Sequence, residues 1–212
     1  HKEVFHLLRL KENVGLGRAL NEGLKCCKNE AVARMDSDDI ACKDRCEKQL
    51  RVLEEGIDIV SGTVVEFEKD ILHCKAKRTL PLSKEEILKF AGRRNPFNHP
   101  CVMYRKEAVE KAGGYQHFYL FEDYYLWARM LLLGVEARNL PDTLLYMRAG
   151  TGMYKRRGGW KYVKSMLHFR LFLWKSGLSS FLDFVVCAGG QMMICLIPNR
   201  LRELFYKKFL RK

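Results

Sequence analysis

Ala31-Val32-Ala33-Arg34-Met35-Asp36-Ser37-Asp38-Asp39-Ile40 sets the reading of this chain: a short apolar strand over 31–35 runs directly into three carboxylates within four positions. Like charges this close repel and raise one another's pKa unless a cation or a ring of donors neutralises them. The cluster therefore points to a hard divalent metal with oxygen ligands, Mn²⁺ or Mg²⁺. A carboxylate after a strand is also a common N-cap, and Asp39 is the one placed for that role, but capping leaves two more unexplained. An EF-hand does not fit, because Ala41 stands where the sixth loop position needs glycine.

Upstream, residues 4–10 form a β-rich run. Asn13, Gly15 and Gly17 then mark a turn opening a helix with Ala19, Leu20, Gly23, Leu24 and Cys27 on one face. Strand, helix, strand with short links predicts a βαβ unit, with parallel pairing and a right-handed crossover. Ligands of open α/β sheets sit beyond the carboxyl ends of such strands, where Asp36 to Asp39 emerge. Gly15 and Gly17 are too few and wrongly spaced for a dinucleotide fingerprint, and no Walker lysine motif occurs.

Downstream, residues 44–55 predict a helix burying Cys46, Leu50 and Leu53, and 58–67 a strand. Residues 68–78 are polar and aperiodic, a surface hairpin or loop. Ser83 and Glu86 form a capping box for a helix ending near Ala91. Between 93 and 100 two prolines preclude regular pairing while Arg, Asn and His supply donors, which suits Asn98 and His99 to holding a polar ligand. The competing reading is a solvated loop in which His99 bonds only to backbone. A short strand at 101–105 and a short helix at 106–112 follow, stopped by Gly113 and Gly114. Glu122 and Asp123 open the strongest amphipathic helix, with Leu126, Met130 and Leu133 on one face; the helix dipole favours two acids there whatever the function. Residues 135–140 and 143–148 read as two strands either side of Pro141 and Asp142. A basic, glycine-containing loop over 154–159 follows, rich in phosphate-binding groups.

With 212 residues, 48% of them hydrophobic, the chain can bury a core as one domain plus an appendage. It begins in a strand-like segment with neither an initiator Met nor a signal peptide, so part of the natural N-terminus is expected to be missing. The net charge of +13 invites a nucleic-acid partner, but residues 155–212 carry 13 Lys and Arg against Asp183 and Glu203. That tail holds +11 and leaves only +2 for the first 154 residues. Its basic residues interleave with apolar runs rather than with a recognition motif, which argues against nucleic acid. Residues 181–197 are apolar apart from Asp183 and Gln191, and somewhat short against the ~20 that a spanning helix needs. Leu201, Leu204, Phe205 and Phe209 line one face of the last segment while Arg and Lys fill the other, the pattern of a helix lying in an anionic membrane surface. The alternative for 181–197 is an ordinary core helix. Eight cysteines without paired C-x-x-C spacing read as free thiols, Cys42 and Cys46 included, and the chain as cytoplasmic.

Five motifs in order now define a resemblance: NVGLGRALNEGL (13–24), VARMDSDDI (32–40) with Asp44-Arg45, NPFNHPCVMYRKEAV (95–109) with GGY, EDYYLWARMLLLG (122–134), and YMRAGTGMYKRRGG (146–159) with a PNRLR tail. Together they resemble glycosyltransferase family 2 of GT-A fold, nearest in look to amylovoran-type exopolysaccharide transferases. The resemblance implies an α/β catalytic domain over 1–150, with a mixed, mainly parallel sheet flanked by helices, and a basic helical, membrane-associated extension over 151–212. It implies an inverting hexosyltransferase moving sugar from a nucleotide-sugar donor to a saccharide or polyprenyl-diphosphate-linked acceptor in surface polysaccharide synthesis, peripheral on the inner face of the cell membrane. Asp36 and Asp38 match the family's D-x-D metal ligands, and Asp123 of the Glu122-Asp123 pair matches its general base. Asp39, Arg148, Arg156 and Arg157 complete the expected donor set, the arginines as phosphate clamps. The family's first strand and nucleoside-gripping loop have no counterpart here. The competing classes are an inactive transferase fragment and a basic membrane- or nucleic-acid-binding protein.

Overall fold

The computed structural model describes residues 4–68, 70–149 and 159–196. Its centre is β3 (Ile59–Phe67), nine residues of which all but Val65 are buried, as expected of a strand covered on both faces. Along one edge of β3 lies β6 (Ala137–Arg148), in parallel from Ile59 to Phe67. The other edge is shared. β5 (Met103–Arg105) pairs with Ile59 and Val60, and β4 (Cys74–Arg78) with the last four residues, both antiparallel. β1 (Ala31–Ala33) continues the sheet beyond β5 and β2 (Ile40–Ala41) beyond β6, again antiparallel.

The sheet is mixed and flanked by helices, as expected, but β3 with β6 is the one parallel pairing among the described strands. The mainly parallel sheet that the resemblance implied, and the parallel pairing expected of the first βαβ unit, are thereby corrected. Residues 4–10 take no strand conformation, and Val4, Phe5 and Leu7 are exposed. No strand lies beside them, and without a ladder partner a β-prone run gains nothing from extension. β1 finds its partner about seventy residues downstream, a pairing invisible to local pattern.

Four helices follow the sequence closely: α1 (Leu16–Cys26), α2 (Arg45–Glu54), α3 (Lys84–Ala91) and α4 (Lys106–Lys111). The Ser83–Glu86 capping box is formed in both directions. α2 differs in its inward face, which is Arg45, Gln49, Val52 and Leu53, with Cys46 and Leu50 exposed. Residues 135–148 also differ, because β6 runs through Pro141 and Asp142 without ending. Its register slips against β3 between Gly62 and Thr63, so Pro141 needs no ladder partner for the N–H it lacks.

α5 (Glu122–Leu132) carries Leu126, Trp127 and Met130 into the main core and turns Phe121, Tyr124 and Ala128 toward a second one. That second core is completed by α6 (Trp160–Lys175) through Tyr162, Val163, Met166, Phe169 and Leu173, and by Ala188 and Cys195 of α7 (Phe181–Leu196). Buried Arg170 fastens this hairpin: Nη2 donates to the Arg93 carbonyl at 2.9 Å and Nε to Gln191 Oε1 at 2.9 Å. Gly92 permits the approach, since a Cβ there would lie 2.5 Å from the Leu178 carbonyl oxygen. The other face of α7 leaves Phe181, Leu182, Val186 and Met193 exposed. Among the described residues no helix is long and apolar enough to cross a membrane. Lys155, Arg156 and Arg157 lie outside the described residues, as do Leu201, Leu204, Phe205 and Phe209.

Candidate active site

The acidic turn is built from its supports. Arg45, 2% exposed and with no carboxylate bonded to it among the described residues, donates through Nη2 to the carbonyls of Arg34 (2.7 Å) and Val102 (3.3 Å). Its Nε donates to Gln49 Oε1, and Gln49 Nε2 reaches the Cys101 carbonyl at 2.8 Å. Such a buried, fully engaged cation fixes backbone position, and here it fixes the end of β1. Arg34, also buried, then grips Asp36 with both terminal nitrogens, at 2.6 and 3.1 Å.

Asp39 is buried and does not cap a helix: β2 follows it, and its Oδ1 accepts the Arg148 backbone N–H at 2.8 Å. Burial raises its pKa, with the charges of Asp36 and Asp38 adding to the effect and the Arg148 bond opposing it. Its Oδ2 is buried without a hydrogen-bond partner. Arg148 folds back over the turn, its guanidinium 4.5 Å from the Phe67 ring centroid and its Nε donating to the Asp38 carbonyl at 3.2 Å. Asp38 itself projects into solvent, and its carboxylate has no bonded partner among the described residues.

The second carboxylate pair begins α5. Leu120 holds φ +62°, a backbone conformation that non-glycine residues seldom adopt, and the turn it makes aims Glu122 and Asp123. Asn95 Nδ2 donates to Asp123 Oδ2 at 2.8 Å, so the proline-rich loop fixes the acid's orientation. Burial raises the pKa of Glu122. His99 lies against Trp127, ring centroids 5.9 Å apart, with Nε2 3.0 Å from the Tyr115 hydroxyl. Burial pushes His99 down to about 4, against the pull of the Asp123 charge and with Arg34 adding to the shift. Arg34 thus acts electrostatically on Asp39 from one side and on His99 and Tyr115 from the other. The charge of Arg34 is thus felt both at the acidic turn and at His99, which stands beside the second pair.

Asn98 has a different place. It is 1% exposed and its Nδ2 donates to the Gly62 and Arg78 carbonyls, so it pins the loop to the sheet and does not face a ligand. Residues that sequence reasoning missed are Arg34, Arg45, Gln49, Asn95 and Tyr115. The first sits inside the acidic motif and was passed over as its flank. The larger cavity, about 520 Å³ between residues 10–25 and Gly113-Gly114, contains none of these carboxylates.

His99 gives a pH prediction. An unfolded histidine titrates near 6.5 and this one near 4 when folded, so the unfolded chain binds more protons between those values. The stability is fully present above about pH 6.5 and lost as pH falls toward 4. Thermal melts at pH 7 and pH 5 should show a smaller drop for His99→Gln than for the natural chain; equal drops would contradict the assignment.

Comparison with known proteins identifies the family and the fold. Residues 1–113 match the model of "Glycosyl transferase family 2". The chain is 41% identical over 209 residues to the Erwinia amylovora protein "Amylovoran biosynthesis glycosyltransferase AmsE", covering 95% of this chain and 76% of that one. It is 37% identical over 205 residues to the Escherichia coli "UDP-Gal:alpha-D-GlcNAc-diphosphoundecaprenol beta-1,3-galactosyltransferase", covering 96% and 74%. Among solved structures it resembles the mannosyltransferase PcManGT of Pyrobaculum calidifontis "in complex with GDP-Man and Mn2+" (TM-score 0.58, 16% identity, 93% of this chain and 54% of that one). It also resembles S. aureus TarS in complex with UDP-GlcNAc (TM-score 0.53, 14% identity, 92% and 52%), so the fold is GT-A. The chain spans about three quarters of those curated relatives and about half of those solved chains. It belongs to glycosyl transferase family 2.

Proposed function

We propose that the chain transfers a sugar, with inversion, from a nucleotide-sugar donor to a saccharide or polyprenyl-diphosphate-linked acceptor in surface or exopolysaccharide synthesis. The observation that carries this reading is the acidic turn, where solvent-facing Asp38 stands beside an Asp36 gripped at both oxygens by buried Arg34. Residues 1–150 supply the catalytic part and 151–212 a basic helical extension.

The residues fit a Mn²⁺ or Mg²⁺ ion. Such ions are commonly held by one or two carboxylates, with substrate phosphates and waters completing the shell. Solvent-facing Asp38 and half-buried Asp36 offer that number, and the partnerless Oδ2 of Asp39 stands behind them. Among the described residues no three His, Cys, Asp or Glu side chains are grouped so as to hold a metal ion by themselves. When bound, the ion offsets charge on the departing nucleoside diphosphate as a Lewis acid. Arg34 holds Asp36 in place, and Arg148 lies beside the turn as a phosphate partner, with Arg156 and Arg157 assigned to the same task by sequence alone.

Asp123 takes the proton from the acceptor hydroxyl as its oxygen bonds to the anomeric carbon. The bond from that carbon to the phosphate oxygen breaks on the opposite face, and the nucleoside diphosphate leaves. Asn95 orients the acid while leaving Asp123 Oδ1 for the substrate. His99, kept neutral by burial and backed by the Trp127 ring, adds no competing cation beside Asp123.

The apolar outer face of α7 and the basic composition of the tail beyond it support a peripheral position on the inner face of the cell membrane, where cytoplasmic nucleotide sugar and lipid-linked acceptor would meet. The test is transfer of labelled sugar from a panel of nucleotide sugars to acceptors in bacterial lipid extract. Label should enter the lipid fraction in a manner dependent on Asp123; no transfer from any donor, or equal transfer by Asp123→Asn, would overturn the reading.

A further inference from the structure

We infer that the groove between the 117–119 turn and α6 is a binding site for the diphosphate group of the acceptor. The inference deepens the proposed function and rests on its lipid-diphosphate acceptor. The groove has a volume of about 300 Å³ and is lined by His117, Phe118, Tyr119, Lys161, Lys164, Ser165 and His168.

Helical spacing gathers its charge. Lys161, Lys164, Ser165 and His168 stand at i, i+3, i+4 and i+7 and so share one face of α6. His117 approaches from the turn, and no carboxylate lines the groove. Lys161 and Lys164 have no acidic partner among the described residues. Both lysines are exposed.

The groove is held in shape. Ser165 Oγ donates to the Tyr119 carbonyl at 2.8 Å, tying the turn to the helix. Lys161 Nζ lies 4.3 Å from the Tyr119 ring centroid, which positions the ammonium at the rim. Phe118 anchors the turn below, with ring centroids 4.9 Å from Tyr125 and 5.4 Å from Phe169.

A second feature points the same way. The first turn of α6 contains no acidic residue, its N-cap Gly159 has no side chain to cap it, and a lysine occupies the position where the helix dipole disfavours a cation. All three work against the isolated helix, and an anion bonded to the two ammonium groups would offset them. The same turn continues through Leu120 directly into Glu122 and Asp123. His117 of the groove acts electrostatically on Glu122, so a diphosphate seated at Lys161 and Lys164 would lie on the side of the site where α5 begins. The donor's diphosphate is assigned to Asp36 and Asp38, so the two phosphate sites are separate.

The test uses the full chain in chelator, which silences metal-assisted binding at the acidic turn. Calorimetric titration with inorganic pyrophosphate should give binding that weakens about tenfold or more in Lys161→Gln/Lys164→Gln, by loss of two charge-assisted contacts, and is unchanged in Asp38→Ala. Equal affinity in the double variant, or loss of binding in Asp38→Ala, would overturn the site. Inorganic phosphate should compete at least about tenfold less well than pyrophosphate, and phosphatidylglycerol vesicles should sediment the double variant as they do the natural chain. If vesicle binding is lost instead, the groove holds a lipid headgroup and the inference fails. In the transfer assay the double variant should raise KM for the diphosphate acceptor and leave donor KM unchanged. Absence of all transfer with pyrophosphate binding intact would sink the proposed reaction and its acceptor while leaving the anion site standing.

Discussion

Asp123→Asn should lower turnover by about 100-fold or more while donor affinity stays nearly unchanged. The substitution preserves the shape of the side chain and can keep a hydrogen bond with Asn95, whose Nδ2 now donates to Asp123 Oδ2. What it removes is a group able to accept the acceptor's proton. Glu122→Gln is the matched control: Glu122 is half-buried and burial raises its pKa, but among the described residues no side chain beyond its own turn hydrogen-bonds to it. If Glu122→Gln proves the more damaging change, the other member of the pair is the base. Asn95→Ala should give a smaller loss expressed mainly in kcat, since the acid keeps its charge and loses only its fixed orientation.

The second large effect is expected at the acidic turn. Asp38→Ala, or excess chelator with the natural chain, should reduce transfer by about 100- to 1,000-fold, because a Lewis acid at a developing diphosphate contributes several kcal/mol to the transition state. Asp38 is the informative position because its carboxylate supports nothing else among the described residues, so its removal should leave thermal stability near that of the natural chain. Asp39→Ala is a poorer probe. It would release the Arg148 backbone N–H and open a hole beneath the turn, and a loss of activity there would mix folding with chemistry. Undiminished transfer by Asp38→Ala, or in chelator, would remove the metal from the account.

Much of this architecture was legible because the residues carrying it act locally. A serine three residues before a glutamate forms a capping box wherever it folds, and α3 begins where Ser83 and Glu86 say it does. The acidic turn was legible from electrostatics, since three carboxylates in four positions need a reason. The misses share a physical cause, which is that the partner lies far along the chain or is not apolar. Periodicity scores apolar side chains, so the inward face of α2 escapes it: its buried Arg45 and Gln49 are satisfied by carbonyls from Arg34 just after β1, from β3 and from the segment before β5. Pro141 reads as a strand break because it lacks a ladder donor, yet the slipped register lets β6 pass through it. The Asn95–Asp123 bond joins residues 28 positions apart and leaves no pattern at any helical or strand period. Asn98, chosen as a polar residue in a loop, is polar because it must pair with carbonyls inside.

The central claim is that Asp123 deprotonates an acceptor whose oxygen attacks the anomeric carbon directly. Product configuration tests it. An α-linked nucleotide sugar accepted by the chain should yield a β-linked product, read from the anomeric proton coupling in the NMR spectrum of the released saccharide. A product that retains the donor's α configuration would require two successive displacements, and would contradict the role given to Asp123.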